Sequence, residues 1–191
     1  MEKLKRRRQR SKMATLRKAS AYSKKIVRPF TRKANTRRKA YIKTVPPSKI
    51  VKFHMGNQKD YDNGKHKFKI SYVASEKVQI RDNSLEACRL ILVKILEKRI
   101  PGSYYFRINV YPHHILREHK MAAGAGADRL SSGMTHSFGV NVGRAAIVNS
   151  GKEVFFISAV DERTAREARK AMGAVKPKVP CRGKVVFEKI N

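Results

Sequence analysis

The first fifty residues hold 19 lysines and arginines and a single acid, Glu2. No other property of the chain limits its folding as strongly. Fixing one residue's backbone costs about 1–2 kcal/mol, and burial of apolar surface must offset it. Here Leu4, Leu16, Tyr22, Ile26, Val27, Phe30, Tyr41, Ile42 and Val45 stand singly or in pairs between cations, with no sustained period. A segment of this kind does not build a core of its own. It is expected to be an extended arm that orders against phosphates. Arginine forks grip phosphate, while Phe30 and Tyr41 can stack on bases or anchor the arm to a folded part. Pro46-Pro47 closes it and disfavours helix at Val45.

The whole chain, 191 residues with a formal net charge of +31, extends the argument. One domain with tails suits this length. So large a charge repels itself in a compact isolated state, and a polyanionic partner relieves that. Nucleic acid fits better than a membrane. No stretch reaches the ~18 apolar residues of a spanning helix. The basic N-terminus lacks the roughly 7–15-residue apolar core of a signal peptide. Cys88 and Cys181 are the only cysteines. They cannot form a disulfide framework or a four-thiolate metal site, so a reducing, cytosolic compartment is expected.

Beyond the arm, periodicity returns. Ser48–Phe53 reads as a short strand, and 56–64, rich in Gly, Asn and Asp, as a loop. Phe68, Ile70 and Tyr72 alternate with polar residues, and Val78 and Ile80 continue the pattern, as half-buried strands do. Asn83 with Glu86 has the spacing of a capping box. Leu85, Cys88, Leu92, Ile95 and Leu96 then line one helical face, which makes Cys88 a buried small hydrophobe rather than a reactive thiol. Pro101-Gly102 ends this helix, and a strand follows over Tyr104–Tyr111. Residues 112–142 carry neither period and read as a functional loop. Arg144–Val148 and Glu153–Val160 flank Asn149-Ser150-Gly151-Lys152, the composition of a hairpin turn. Asp161 can cap a second helix through Met172, with Ala165, Ala168 and Met172 inward. Lys184–Glu188 is a last strand. The expected fold class is α+β: a largely antiparallel sheet packed with two short helices, with an extended basic N-terminal arm and a long internal loop.

No motif makes a case for catalysis. Gly124-Ala125-Gly126-Ala127-Asp128-Arg129 has Arg where a dinucleotide fingerprint needs its third glycine, and Gly151-Lys152 is followed by Glu153 where a Walker loop needs Ser or Thr. His113, His114, His119 and His136 share the loop region, but no cysteine lies near them in sequence, so no metal site is expected. Asp128 is the only acid between Glu118 and Glu153, which leaves carboxylate chemistry without a pair. No cofactor is expected. The loop suits RNA instead: small residues let backbone approach a ligand closely, and Arg117, Lys120 and Arg129 bring charge to phosphates.

Several blocks together resemble a known family. They are Arg28-Pro29-Phe30-Thr31-Arg32, 36–42 (Thr-Arg-Arg-Lys-Ala-Tyr-Ile), 45–51 with Met55-Gly56, and 78–87. The most distinctive is Val110-Tyr111-Pro112-His113-His114-Ile115-Leu116-Arg117, followed by Lys120-Met121 and 124–130. From about Met13 to the C-terminus the chain resembles the large-subunit ribosomal protein family called L-ten-e in archaea and L-ten in eukaryotes, the counterpart of bacterial L-sixteen.

The resemblance implies an α/β-hammerhead type of fold and no enzymatic activity. It implies binding to large-subunit rRNA between the central protuberance and the peptidyl-transferase region, with 5S rRNA and other ribosomal proteins nearby, and late addition during subunit assembly. The loop 113–137 would point toward tRNA. RNA-binding residues are expected at Arg28, Arg32, Arg37, Arg38, Lys39, Lys43, His113, His114, Arg117, Lys120 and Arg129. The expected organisation is a disordered basic extension over 1–12, an rRNA-binding arm over 13–49, and a globular domain over 50–191 whose loop 113–137 is mobile. Met13 offers an alternative start. Two rival readings come from other classes: a free-standing RNA chaperone or packaging protein, and an RNA-modifying enzyme.

Overall fold

The structure is a computed structural model and describes residues 18–23, 36, 38–40, 42–118 and 139–190. Eight strands and four helices occur among them, an α+β arrangement with two antiparallel sheets rather than the one expected. The strands are β1 (His54–Gly56), β2 (Phe68–Ala74), β3 (Val78–Arg81), β4 (Tyr104–Ile108), β5 (His114–Glu118), β6 (Val140–Val148), β7 (Glu153–Ala159) and β8 (Gly183–Lys189). The helices are α1 (Ser20–Ser23), α2 (Gln58–Asp62), α3 (Asp82–Arg99) and α4 (Glu162–Val175). A five-stranded sheet runs β1-β4-β7-β2-β8, and a three-stranded sheet runs β3-β6-β5.

Period two decides which face of the large sheet is covered. Ile70, Ile157 and Phe106 stand opposite one another across β2, β7 and β4, as do Tyr72, Phe155 and Ile108. All six are buried in the main core. Helix α4 lies on β2, β7 and β8, and α3 touches both α4 and the small sheet. From α3 come Leu85, Cys88, Leu92 and Leu96, and from α4 come Ala165, Ala168, Ala171, Met172 and Val175, all buried. Alanines at the contact let α4 approach the sheet closely. Burial pushes the Cys88 thiol up to about 12, so it packs as a hydrophobe, as its place on the apolar stripe indicated.

The departures from expectation have local causes. No strand forms over 48–53. The Lys49 and Val51 amides donate to the Asp82 and Glu86 carboxylates instead, and the first ladder-like bond is from the Ile108 N–H to the Phe53 carbonyl. The turn-rich stretch from Gly56 contains α2, because Asn57 accepts the Asp60 N–H at 3.2 Å and so caps a single turn. Helix α3 starts at Asp82, and Asn83 lies inside it. Glu86 closes no capping box. It pairs with Arg89 at 2.6 Å. Helix α4 does start after Asp161, whose N–H donates to Thr164 Oγ1 at 3.1 Å, and it runs to Val175 rather than Met172.

The region read as aperiodic from 112 to 142 holds β5 and the start of β6, paired His114 to Ala145 through Glu118 to Val140. A doublet such as Ile115-Leu116, buried on both faces, carries no alternation to detect. The turn at 149–152 does not close a hairpin either. Strand β6 pairs with β3 and β5, β7 pairs with β2 and β4, and the turn carries the chain from one sheet to the other.

Candidate RNA interface

Of the expected contact residues, Arg28, Arg32, Arg37, Lys120 and Arg129 lie outside the described residues. Those that are described fall in two groups. Around residue 40 the chain separates its chemistry by side. Ala40 and Ile42 are 6% and 4% exposed, while Arg38, Lys39 and Lys43 face solvent. The Lys43 ammonium donates to the Arg38 carbonyl at 2.8 Å, which holds two of these cations in one turn. Upstream, the Arg81 guanidinium sits 5.0 Å from the Tyr22 ring centre, a cation–π contact that ties α1 to β3.

Residues 38–40 and 42–49, the strap, are fastened downstream at three points. The Asn141 amide donates to the Thr44 carbonyl at 2.6 Å, Arg144 Nε to the Pro46 carbonyl at 2.6 Å, and the Lys49 N–H to Asp82 Oδ2 at 3.2 Å. Contact with the globular part therefore reaches upstream of residue 50. Sequence reasoning missed Asn141 and Arg144, since nothing local marks a side chain that serves a carbonyl almost a hundred residues away.

The second group surrounds the Pro112 corner. His113 is exposed and lies 4.6 Å, ring to ring, from Tyr111. His114 is 6% exposed on β5 opposite Ala145. His113 precedes β5 and is exposed while His114 lies within it and is buried, so of the two only His113 is presented at the surface. Arg117 is partly buried at the irregularity between Leu116 and Arg117 where β5 meets β6.

The far face of the large sheet is a different environment. Tyr61 of α2 stacks on Tyr105 at 4.7 Å and meets Phe156 and His66 edge-on. His54 Nδ1 lies 2.7 Å from the Tyr105 hydroxyl, and Arg107 sits over Phe156 at 5.1 Å. Lys69 is held between Glu153 at 2.8 Å and Glu188 at 3.1 Å. These two ion pairs hold its pKa above the usual lysine value. Lys69 on this face is thus matched internally. By contrast Lys94, Lys98, Arg163, Arg169, Lys176 and Lys178 are exposed on the helical side and form no ion pair among the described residues. No group of three or more His, Cys, Asp or Glu among the described residues is placed to hold a metal. No described helix is long and apolar enough to cross a membrane.

Two buried imidazoles make stability depend on pH. His66 is 4% exposed with Nδ1 2.8 Å from Ser158 Oγ. Burial holds its pKa below 6.5, against the opposing pull of Ser158 and Asp60. Burial, and then the charge of Arg117, lower His114 likewise. Below 6.5 the unfolded chain binds protons at these sites before the folded one does, so unfolding gains as pH falls. The stabilisation is complete above 6.5 and is lost as pH drops toward the folded values. The urea midpoint should therefore fall between about pH 7 and pH 5, and His66→Gln should flatten that decline. A midpoint constant over this window would mean both rings reach solvent.

Residues 29–186 match the family model described as ribosomal protein L16p/L10e. A large ribosomal subunit protein uL16 from Hyperthermus butylicus is 43% identical over 171 residues, which is 88% of this chain and 92% of the relative. The protein of that name from Archaeoglobus fulgidus is 38% identical over 174 residues, covering 91% and 94%. That from Sulfolobus acidocaldarius is 40% identical over 166 residues, covering 86% and 92%.

Proposed function

The chain belongs to the ribosomal protein L16p/L10e family, and from that premise we propose that it is a structural, non-enzymatic constituent of the large ribosomal subunit in the cytoplasm. It binds large-subunit rRNA between the central protuberance and the peptidyl-transferase region, with 5S rRNA and other ribosomal proteins as neighbours. The fold is of the α/β-hammerhead type. Within 113–137, the segment after β5 reaches toward tRNA and assists its positioning, and the protein joins late in subunit assembly.

One observation carries the reading: the strap around residue 40 turns Ala40 and Ile42 inward and Arg38, Lys39 and Lys43 outward. The folded domain thus aims the root of the basic segment away from its own core. The mechanism is electrostatic. Lysine and arginine displace condensed counterions from phosphate, and a segment that cannot fold alone orders on the RNA surface. In this reading 13–49 is the arm, 50–191 the domain, and the chemistry of Arg28, Arg32, Arg37, Lys120 and Arg129 is phosphate contact.

Sedimentation of large subunits through a high-salt cushion tests this. The protein should stay with the subunit, because a shaped docking site adds contacts that salt does not screen, whereas phosphate contacts alone weaken as salt rises. Quantitative release into the supernatant, with equal retention on unrelated RNA, would favour a free-standing RNA chaperone instead.

A further inference from the structure

Three rings form a column at the surface where β4 gives way to β5. Phe53 packs against the main core and stacks on Tyr111, with ring centres 5.4 Å apart and planes 27° from parallel. Tyr111 in turn meets His113 at 4.6 Å, with planes 53° apart, a tilted contact. Tyr111 is 43% exposed and His113 is exposed. The column is built by the backbone. The His113 N–H donates to the Tyr111 carbonyl at 2.9 Å, across Pro112. An i to i+2 bond of this kind suits the restricted φ of proline at its centre. It brings the side chains before and after the proline together.

The column is also braced. Arg144 Nη1 donates to the Tyr111 hydroxyl at 3.3 Å, while Nε of the same guanidinium donates to the Pro46 carbonyl. Strand β6, the strap and the β4–β5 corner thus hold one aromatic face in place. A flat, exposed ring already ordered in the protein loses little further freedom when something stacks on it. The guanidinium beside it, on a chain of net charge +31, selects for a partner that carries negative charge next to a flat ring.

On these grounds we infer that the Phe53–Tyr111–His113 column is a stacking platform for one unpaired base of rRNA, with Arg144 beside it facing that nucleotide's phosphate side. This rests on the rRNA reading above and adds a base-stacking contact to it. Proteins read single-stranded RNA largely by such stacking, whereas cations alone grip only the backbone.

The test uses the full chain bound to large-subunit rRNA. Irradiation at short wavelength should give zero-length crosslinks from Tyr111 or His113 to a single-stranded nucleotide. The double variant Tyr111→Leu, His113→Ala should bind about ten- to a hundredfold more weakly with an unchanged log–log salt slope, because a stack is lost and no phosphate contact is. Tyr111→Phe keeps the ring and should bind within about twofold of the parent. Thermal unfolding checks that each variant folds; if the double variant does not, Tyr111→Leu alone carries the same expectation.

Unchanged affinity in the variant would overturn the platform. So would a slope reduced by about 0.7–0.9, the mark of a phosphate contact, or crosslinks running from Tyr111 to another ribosomal protein in whole subunits. In each of these cases rRNA binding itself survives. A parent protein that fails to bind large-subunit rRNA would sink both readings.

Discussion

Replacing Arg28, Arg32, Arg37 and Arg38 together by glutamine should weaken rRNA binding by about two to three orders of magnitude near 0.15 M salt. Each phosphate contact contributes about 0.7–0.9 to the log–log salt slope, so four lost contacts lower it by about 3. At that ionic strength the same slope corresponds to roughly 0.6–0.7 log units of affinity per contact. The effect belongs to binding and not to packing. Arg38 is exposed, and the strap's attachments run through Ala40, Ile42 and the carbonyls of Thr44 and Pro46. Circular dichroism and the unfolding midpoint should therefore match the parent. A salt slope identical to the parent's would show that these four side chains face solvent on the ribosome.

A larger effect on stability is expected at Gly56. It ends β1 with φ +84°, and a Cβ there would lie 2.3 Å from the Tyr104 carbonyl oxygen. That oxygen is fixed, since it accepts the Asn57 N–H at 2.8 Å. Gly56→Ala therefore combines a backbone conformation costing about 1–3 kcal/mol with a clash against main chain that cannot swing aside. We expect about 3 kcal/mol or more, a large share of the 5–15 kcal/mol that typically holds a domain together, and a Tm lowered by about 6–12 °C. Gly151 separates the two causes. It has φ +81° with nothing within 4 Å of an added Cβ, so Gly151→Ala should cost only about 1 kcal/mol. Equal losses at the two sites would show that β1 shifts to relieve the contact.

How legible these features were differs from residue to residue. The stripe Leu85, Cys88, Leu92 and Leu96 announced α3, and Phe68, Ile70 and Tyr72 announced β2, because one covered face imprints its period on sequence. Strand β5 left no such imprint, since Ile115 and Leu116 are both buried. The capping pattern at Asn83 misled because Arg81, two residues earlier, is still paired to Ala145, and Asp82 takes the first helical position. The basic character of the chain was plain from residues 1–50. Which adjacent histidine faces outward was not, because that depends on the register of β5 against β6.

By itself the sequence determined the α+β class, the inward faces of the main helices, the strongly basic character and the family. Each of these follows from composition, local period or a contiguous motif, and so can be read along the chain. Tertiary structure decided that there are two sheets, that the turn at 149–152 bridges them, that Arg144 braces both the strap and Tyr111, and that His114 is buried while His113 is presented. Those outcomes rest on pairings between residues tens to a hundred positions apart. Such contacts are selected by how much apolar surface and how many backbone groups the whole chain can satisfy at once, a condition no local window contains.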